Sequence, residues 1–477
     1  MKKLLSVFVA LIMALTVAMP AFAAEEVADY DGDPVVIVRG IPFTNLRYED
    51  GTSPFELNTG KLAGVLLQSL ITHFALGNED ALYDAFAEIV RDYFEPIAYD
   101  KNGNSVNNLK STQYTKSMAA YPNYGYFDDA EGGLVKEAVK RYGKENVYLF
   151  TYDWRKSAEQ LSDELSALIE TAKTDSGKEK VDIICASMGC MITTAYFYYH
   201  GYDSVDTAVY VSGAHNGTYS VGDSFGGNFY IDTEMVRNTI DSLIEGNIFT
   251  DIIFNIFDWL GAFDYLTGYL NKWLNSYFER ANDEVFRDCL GTIPGLWALC
   301  PAESFDEAYA TVFGGHEEEY AGACEVIKET GEYLKNKDAV LAEAYNAGVK
   351  LSFIAGYNRP GIPVISNGVL NSDGTIETVL ASNGATVAKY GETLTADQIN
   401  DEAYLSPDGV IDASTAAFKD CTWFIRNAEH VATDYGTECN AFVFWLFECE
   451  QQPKIYTDAA YPQYLEADAQ WNLTILK

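Results

Sequence analysis

The chain has 477 residues, of which 48% are hydrophobic and 14% aromatic, a composition typical of a folded globular protein and not of a mainly disordered one. Its formal net charge of −38 argues against a nucleic-acid partner, because phosphate binding needs clustered lysine and arginine. The same charge disfavours adsorption to anionic membranes, and self-repulsion that keeps the chain soluble is sufficient to explain it.

The N-terminus has the pattern of a secretory signal peptide. Lys2 and Lys3 precede an apolar run over 4–19, and a small-x-small cleavage site ends at Ala23. The run is too short to span a membrane, and the sequence has no second apolar stretch of sufficient length. We therefore expect 1–23 to be removed and the mature protein to be soluble and secreted to the extracellular medium; a signal anchor is the alternative.

Segments typical of strands and helices alternate from the first strand onward. Buried strands are predicted at 35–38, 147–152, 181–185 and 207–212, and helices at 157–172 and 188–199. This alternation predicts an α/β fold, with a mostly parallel sheet covered by helices on both faces.

The alternation stops after the fourth strand. From 215 to 346 the pattern is mainly helical and rich in aromatic residues, and strand character returns at 349–355. We interpret 27–214 and 347–477 as two parts of one core and 215–346 as a helical cap inserted between them.

Eight cysteines are present, and export permits disulfides. No two of them have CxxC spacing, so neither a zinc site nor a redox motif is predicted, and we expect no metal and no cofactor. Bridges between Cys289 and Cys300 and between Cys421 and Cys439 are plausible on spacing, although sequence alone does not settle the pairing.

The segment from Val181 to Cys190 has the order strand, tight turn, helix, with Ser187 in the turn. Nucleophile elbows of the G-x-S-x-G type have this order, and they need small neighbours because the serine lies on a strained bend. Here Cys185 and Gly189 flank the serine, so one glycine is replaced by cysteine. The alternative is an ordinary strand-to-helix turn with a buried serine.

The other members of a catalytic triad should follow the serine, the acid first and the histidine last. Of five histidines only His430 comes late enough, in a loop after the strand-like segment 422–425. Asp373 lies between the returning strand and His430, in a turn-forming Asn-Ser-Asp-Gly-Thr context. A structural histidine and a β-turn aspartate are the alternatives.

An oxyanion hole needs two backbone N–H groups. Met188 follows the nucleophile, and Ile41 lies in the loop after the first strand, where Gly40 permits a sharp turn. We expect these two residues to supply the donors.

Several of these segments resemble the lecithin:cholesterol acyltransferase family. The resemblance rests on the strand and loop 34–40, the Tyr-Asp-Trp-Arg segment 152–155, the Ser-Met-Gly elbow at Ser187 and the Asp-Gly-Thr turn at Asp373. It implies an α/β-hydrolase fold with Ser187, Asp373 and His430 as the triad.

By the same resemblance, Ile41 and Met188 form the oxyanion hole, while Asp153, Trp154 and Arg155 shape and brace the site. The chain also departs from the family pattern. The departures are Arg39 for proline, Ala186 for histidine, Cys185 and Cys190 for glycines, and Ile376-Glu377 for Val-Pro.

The predicted cap contains a stretch, 247–278, that is dense in large apolar residues and interrupted by aspartates. It suits a lid that covers an acyl chain and transiently contacts a lipid interface, or simply the core of the cap itself.

The predicted activity is acyl-ester chemistry on a small-molecule or lipid ester, as a hydrolase or an O-acyltransferase, with no obligate protein partner. The rival interpretation is a non-catalytic binding protein on a hydrolase scaffold. A third alternative is a cysteine enzyme that uses Cys185 or Cys190, but neither residue has an evident base.

Overall fold

The computed structural model describes residues 30–41, 46–54, 80–122, 133–234, 262–362, 365–430 and 437–477, with a few single positions between 65 and 78. The expected signal peptide and the part 247–261 of the apolar stretch lie outside these ranges. Within the described residues, no helix combines the length and the apolar character that a bilayer crossing requires.

An eight-stranded sheet forms the centre of the molecule. Its strands are β1 (Val35–Val38), β2 (Val147–Phe150), β3 (Val181–Ala186), β4 (Val205–Val211), β5 (Lys350–Tyr357), β6 (Thr422–Arg426), β7 (Tyr464–Ala467) and β8 (Leu473–Ile475). The spatial order is β8-β7-β6-β5-β4-β3-β1-β2, and every neighbouring pair is parallel except β7 with β8. All residues of β1, β2 and β3 are buried, which explains their continuous apolar sequences.

The helices of the described residues alternate with these strands in the first half and then dominate the middle. They are α1 (Ala81–Phe94), α2 (Leu134–Tyr142), α3 (Ala158–Ser176), α4 (Met188–His200), α5 (Tyr219–Gly226), α6 (Ala262–Ala281), α7 (Pro294–Trp297), α8 (Ala302–Phe313), α9 (Ala321–Asn346), α10 (Thr378–Ala381) and α11 (Thr437–Glu448), with a π-helix at Asn282–Gly291 between α6 and α7. The 3-10 turns are Glu95–Ile97, Met118–Ala120, Ser366–Val369, Glu402–Tyr404, Ala413–Thr415 and Lys419–Cys421.

Both faces of the sheet are covered. The connection β1-α2-β2 runs towards one edge and β2-α3-β3 runs back, so two right-handed crossovers place α2 and α3 on opposite faces. On the α3 face, α4 and α9 complete the layer, and Tyr333 of α9 donates a hydrogen bond of 3.1 Å to the Met191 carbonyl of α4. On the other face, Tyr142 of α2 packs against Phe444 of α11. The predicted α/β class, a mostly parallel sheet with helices on both faces, is confirmed, and the arrangement is consistent with an α/β-hydrolase fold.

Local sequence sets where these elements begin and end. Ser157 and Gln160 form a reciprocal capping box at the start of α3, and Gly177 ends the helix in the left-handed conformation at φ 71°. The helical character predicted for the middle of the chain is confirmed where it is described, from α5 to α9. Strands β7 and β8 and three two-residue ladders were not predicted. The ladders pair Leu46–Arg47 with Lys110–Ser111, Arg359–Pro360 with Asn371–Ser372, and Thr386–Val387 with Ile411–Asp412.

Neither expected disulfide forms, since all eight cysteines are free thiols. Cys289 lies in a small cluster beneath α1, whereas Cys300 lies in the main core. Cys421 precedes β6 beside the Tyr345 hydroxyl, whereas the Cys439 thiol faces the Trp471 carbonyl. The two bridges suggested by spacing were wrong, because separation along the chain does not fix the distance between thiols in a fold.

Candidate active site

Ser187 is the single residue of the sharp turn between β3 and α4. Its backbone has φ 54° and ψ −127°, a conformation that non-glycine residues rarely adopt and that costs about 1–3 kcal/mol. The strand ends at Ala186 and the helix begins at Met188, so the bend presents the serine at the carboxyl end of the sheet. This is the strained strand-to-helix turn expected of a nucleophile elbow.

The space around the bend admits only small neighbours. A Cβ atom on Gly189 would lie 2.2 Å from the Val38 carbonyl oxygen, so only glycine lets the start of α4 approach β1 this closely. Cys185 and Cys190, which stand where the resembled family has glycines, are both fully buried. Burial and the neighbouring Cys185 raise the pKa of the Cys190 thiol, which opposes a nucleophilic role for it.

His430 joins Ser187 to Asp373 by two hydrogen bonds. Its Nδ1 lies 2.9 Å from the Asp373 Oδ2, and its Nε2 lies 2.9 Å from the Ser187 Oγ. Because a carboxylate only accepts, Nδ1 carries the proton and donates it, which leaves Nε2 to accept from the serine hydroxyl. The three residues that the sequence analysis selected are thus in direct contact, although they are 57 and 243 positions apart.

The Asp373 carboxylate is held rigidly in its turn. Its Oδ1 accepts hydrogen bonds of 3.0 Å and 2.8 Å from the Thr375 and Ile376 N–H groups, so Oδ2 is the oxygen directed at His430. The Asp373 side chain is 1% exposed and that of His430 15%, which places the acid inside and the imidazole at the surface of the site. Gly356 of β5 makes room for the acid, because a Cβ there would lie 2.8 Å from the Asp373 Cβ.

The two expected oxyanion donors belong to two segments next to Ser187: Met188 follows the serine in the chain, and Ile41 lies in the loop after β1. Met188 is the first residue of α4 and is fully buried. Ile41 directly follows Gly40, and a Cβ on Gly40 would lie 2.8 Å from the Ser187 Cβ. The loop after β1 therefore passes against the serine, and its residues are described as far as Ile41.

Asp153 and Arg155 form a buried ion pair beside β2. The guanidinium donates to both carboxylate oxygens, at 2.9 Å from Nε to Oδ1 and 2.7 Å from Nη2 to Oδ2, and its Nη1 donates to the Ile97 carbonyl at 3.1 Å. Trp154 lies against Gly295, whose Cβ, if present, would stand 1.9 Å from the Trp154 carbonyl oxygen. These contacts join the segment after α1 and the start of α7 to the sheet.

A buried polar network behind the elbow was missed by the sequence analysis. The segment after β4 contacts the backbone of the nucleophile: the Ala214 N–H donates a hydrogen bond of 3.0 Å to the Ser187 carbonyl. Next to it, His215 Nε2 lies 3.0 Å from the Asn383 Oδ1, and burial together with Lys337 lowers the pKa of His215 to about 4. The sequence did contain one indication of this network, the histidine at position 215. His215 was excluded from the triad because it comes before the acid in the chain.

Three carboxylates lie close together at the amino-terminal ends of the strands, opposite the end of the sheet where Ser187 lies. One oxygen each of Asp33, Asp182 and Asp206 falls within 4.8 Å of the others. Lys350 lies 3.0 Å and Lys180 3.7 Å from Asp206, so lysine side chains already balance part of this charge. The group is remote from Ser187 and is not part of the candidate active site.

Three solved structures show partial, distant likenesses to this chain. Lipase B of Aspergillus fumigatus aligns with a TM-score of 0.16 and 16% identity over 22% of this chain and 24% of its own. The Tle4–Tli4 complex aligns with a TM-score of 0.19 and 15% identity over 40% and 48%. A carboxylesterase of the thaumarchaeon Nitrososphaera gargenis aligns with a TM-score of 0.17 and 13% identity over 45% and 88%. The matched parts thus span about a quarter and about half of the first two structures.

None of the curated proteins matches this chain. A family model does match, over 106–227, a range that contains the Tyr-Asp-Trp-Arg segment, the elbow at Ser187 and His215. In this range, the expected resemblance is confirmed. Residues 106–227 match the family model described as lecithin:cholesterol acyltransferase.

Proposed function

We propose that this chain is an exported serine hydrolase that acts on carboxylic esters, in particular lipid esters, through an acyl-enzyme on Ser187. The observation that carries the proposal is the hydrogen-bonded triad of Ser187, His430 and Asp373, in which both hydrogen bonds measure 2.9 Å. The partial match to the acyltransferase family supports the ester substrate class.

In the proposed reaction, the Ser187 Oγ attacks the ester carbonyl while its proton passes to the His430 Nε2. The imidazolium, stabilised by Asp373, then returns that proton to the leaving alcohol oxygen, which leaves the acyl group on the serine. Attack by water, with its proton taken by His430, releases the carboxylic acid and restores the free enzyme.

The negative charge that develops on the carbonyl oxygen needs preorganised donors. We assign this role to the Ile41 and Met188 N–H groups, with Gly40 and Gly189 allowing the close approach around the serine. Loss of one such donor typically lowers the rate about a hundred- to a thousandfold. We give Asp153, Trp154 and Arg155 a bracing role, because both charges of the ion pair are already satisfied by protein groups.

We further propose that 215–346 forms the cap over the acyl group and that it touches a lipid interface transiently. Tyr230 and Tyr265, both in this region, are 48% and 76% exposed and present amphipathic rings of the kind enriched at membrane interfaces. An alcohol acceptor in place of water would convert the same acyl-enzyme chemistry into acyl transfer.

The test is hydrolysis of a panel of p-nitrophenyl esters from acetate to palmitate by wild type and Ser187→Ala, with and without an added long-chain alcohol. We expect turnover by wild type, loss of at least about a thousandfold in the variant, and the fatty ester as a further product if transfer occurs. No turnover on any ester, together with no change in the variant, would favour the non-catalytic binding interpretation.

A further inference from the structure

A second carboxyl group is buried behind Asp373. Glu377, four positions later in the same turn, is 2% exposed. It stands where the resembled family has proline, so the resemblance assigns it no role. The match over 106–227 does not include it.

Glu377 connects the acid turn with the beginning of α5. The Tyr219 N–H, the first of that helix, donates to the Glu377 Oε2 at 3.2 Å. The Thr218 hydroxyl, which caps the helix, also donates to the Thr375 carbonyl at 3.3 Å. The turn that carries Asp373 is therefore held by hydrogen bonds from the segment that leads from β4 into the cap.

The backbone of Glu377 also closes the turn itself. Ser372 and Glu377 form an antiparallel bridge, and between them the Asp373 N–H donates to the Ile376 carbonyl at 3.2 Å. Any displacement of Glu377 therefore moves the Thr375 and Ile376 N–H groups that hold the Asp373 Oδ1.

The electrostatic surroundings make the Glu377 charge depend on pH near neutrality. Burial raises the pKa of Glu377 to about 7, and the Asp373 charge adds to the increase. The Tyr219 side chain of α5 is in turn close to Asp223 of the same helix and to Glu303 of α8, which accepts from the Tyr219 hydroxyl at 2.8 Å. None of these neighbours is a cation, so an ionised Glu377 adds a negative charge behind the triad.

We propose that Glu377 is a positioning residue for the reaction at Ser187: it fixes the Asp373 turn against α5, and its ionisation changes the pH range in which His430 accepts the serine proton. The inference rests on the proposed function. A negative charge behind Asp373 favours the protonated form of a nearby imidazole, so the uncharged serine–imidazole pair is reached only at higher pH. Because Glu377 gains or loses its charge near neutrality, its effect on His430 changes within the measured pH range, and wild type should lose reactivity gradually as the pH falls.

The experiment is the rate of Ser187 labelling by a fluorophosphonate probe between pH 5 and pH 9, which needs no knowledge of the natural ester. Glu377→Gln keeps an acceptor for the Tyr219 N–H but removes the charge, whereas Glu377→Ala removes both. Asp182→Asn is the matched control, because burial also raises the pKa of Asp182 to about 7 but this residue lies at the other edge of the sheet. Thermal unfolding checks that each variant is folded.

In Glu377→Gln, we expect the labelling rate to fall towards low pH along a one-proton curve, here called the acid limb. Its midpoint should lie about half to one pH unit below that of wild type. Glu377→Ala should in addition label about fivefold more slowly at pH 9, because the turn loses one hydrogen bond. The control should reproduce the wild-type profile. Wild type by itself gives a second measurement that does not depend on how the variants fold, since its acid limb must be broader than a single ionisation allows.

Superimposable profiles for wild type and Glu377→Gln, or a single-ionisation limb in wild type, would overturn the inference while leaving the proposed function intact. Absence of Ser187 labelling at every pH would overturn the proposed function, and the inference with it.

Discussion

Gly40 and Ser187 lie so close together that a Cβ on Gly40 would stand 2.8 Å from the Ser187 Cβ and 3.3 Å from its Oγ. The loop after β1 is therefore packed directly against the proposed nucleophile. A distance of 2.8 Å between two such carbons is well inside van der Waals contact, so any larger residue must move the loop or the serine.

Gly40→Ala should for this reason lower kcat/KM on a p-nitrophenyl ester by about tenfold or more while the protein remains folded, since displacement of donors and nucleophile by a fraction of an ångström is enough to weaken transition-state stabilisation. Gly268→Ala in α6 is the matched control, because nothing lies within 4 Å of its added Cβ. Equal activity of the two variants would show that the loop does not position the reacting groups.

Asp373→Asn tests the proposed role of the acid. The amide can no longer fix the His430 ring in the tautomer that accepts from serine, and we expect kcat to fall by about a thousandfold or more. Glu429→Gln provides the control: this carboxylate precedes His430 but is 56% exposed in a surface ion pair. A variant Asp373→Asn that keeps a tenth of wild-type activity would contradict the assignment.

The sequence predicted the parts of the site that depend on local pattern. Ser187 was found because a buried strand, small neighbours and a helical segment are contiguous around it, and His430 because only five histidines had to be ordered along the chain. Glu377 was noticed only as a departure from a family pattern. Its buried carboxylate accepts from the N–H of Tyr219, 158 positions earlier, and no local pattern contains that contact.

The same distinction applies to the fold. The first six strands of the sheet are short, mainly apolar and mostly buried segments, and they were predicted with ends that differ by a few residues. Strand β8 has its last two residues exposed and β7 contains Glu466, so neither has the apolar continuity of a buried strand. The disulfide expectation failed because cysteine spacing carries no information on which face of the core each thiol reaches.

Asp182→Asn should stabilise the protein in a pH-dependent way. Burial raises the folded-state pKa of Asp182 to about 7, and Asp206 and Asp33 add to the increase. Since the unfolded value is near 3.9, wild-type stability is lost as the pH rises from about 4 to about 7, by at most about 4 kcal/mol. The free energy of unfolding of the variant relative to wild type should therefore increase over this range and then remain constant.

Urea unfolding at pH 4.5, 6 and 8.5 measures this difference, with the exposed Asp264→Asn as the comparison. A difference between Asp182→Asn and wild type that does not change with pH would mean that Asp182 is ionised without penalty in the folded protein.

All eight cysteines should react as free thiols once the chain is denatured. Alkylation in guanidinium without reductant should add eight labels, and dithiothreitol should leave the thermal midpoint unchanged. In the native state labelling should be slow, because seven of the thiols are buried and Cys449 is only partly exposed. Fewer than eight labels before reduction would reveal a bridge that the structure does not contain.

The central claim is that Ser187 is a nucleophile activated by His430. Its most direct test is to react the protein with a fluorophosphonate, digest it and locate the adduct by mass spectrometry. We expect one adduct per chain, on Ser187, and none in Ser187→Ala or in heat-denatured wild type. Labelling that persists in Ser187→Ala, or an adduct on another residue, would contradict it.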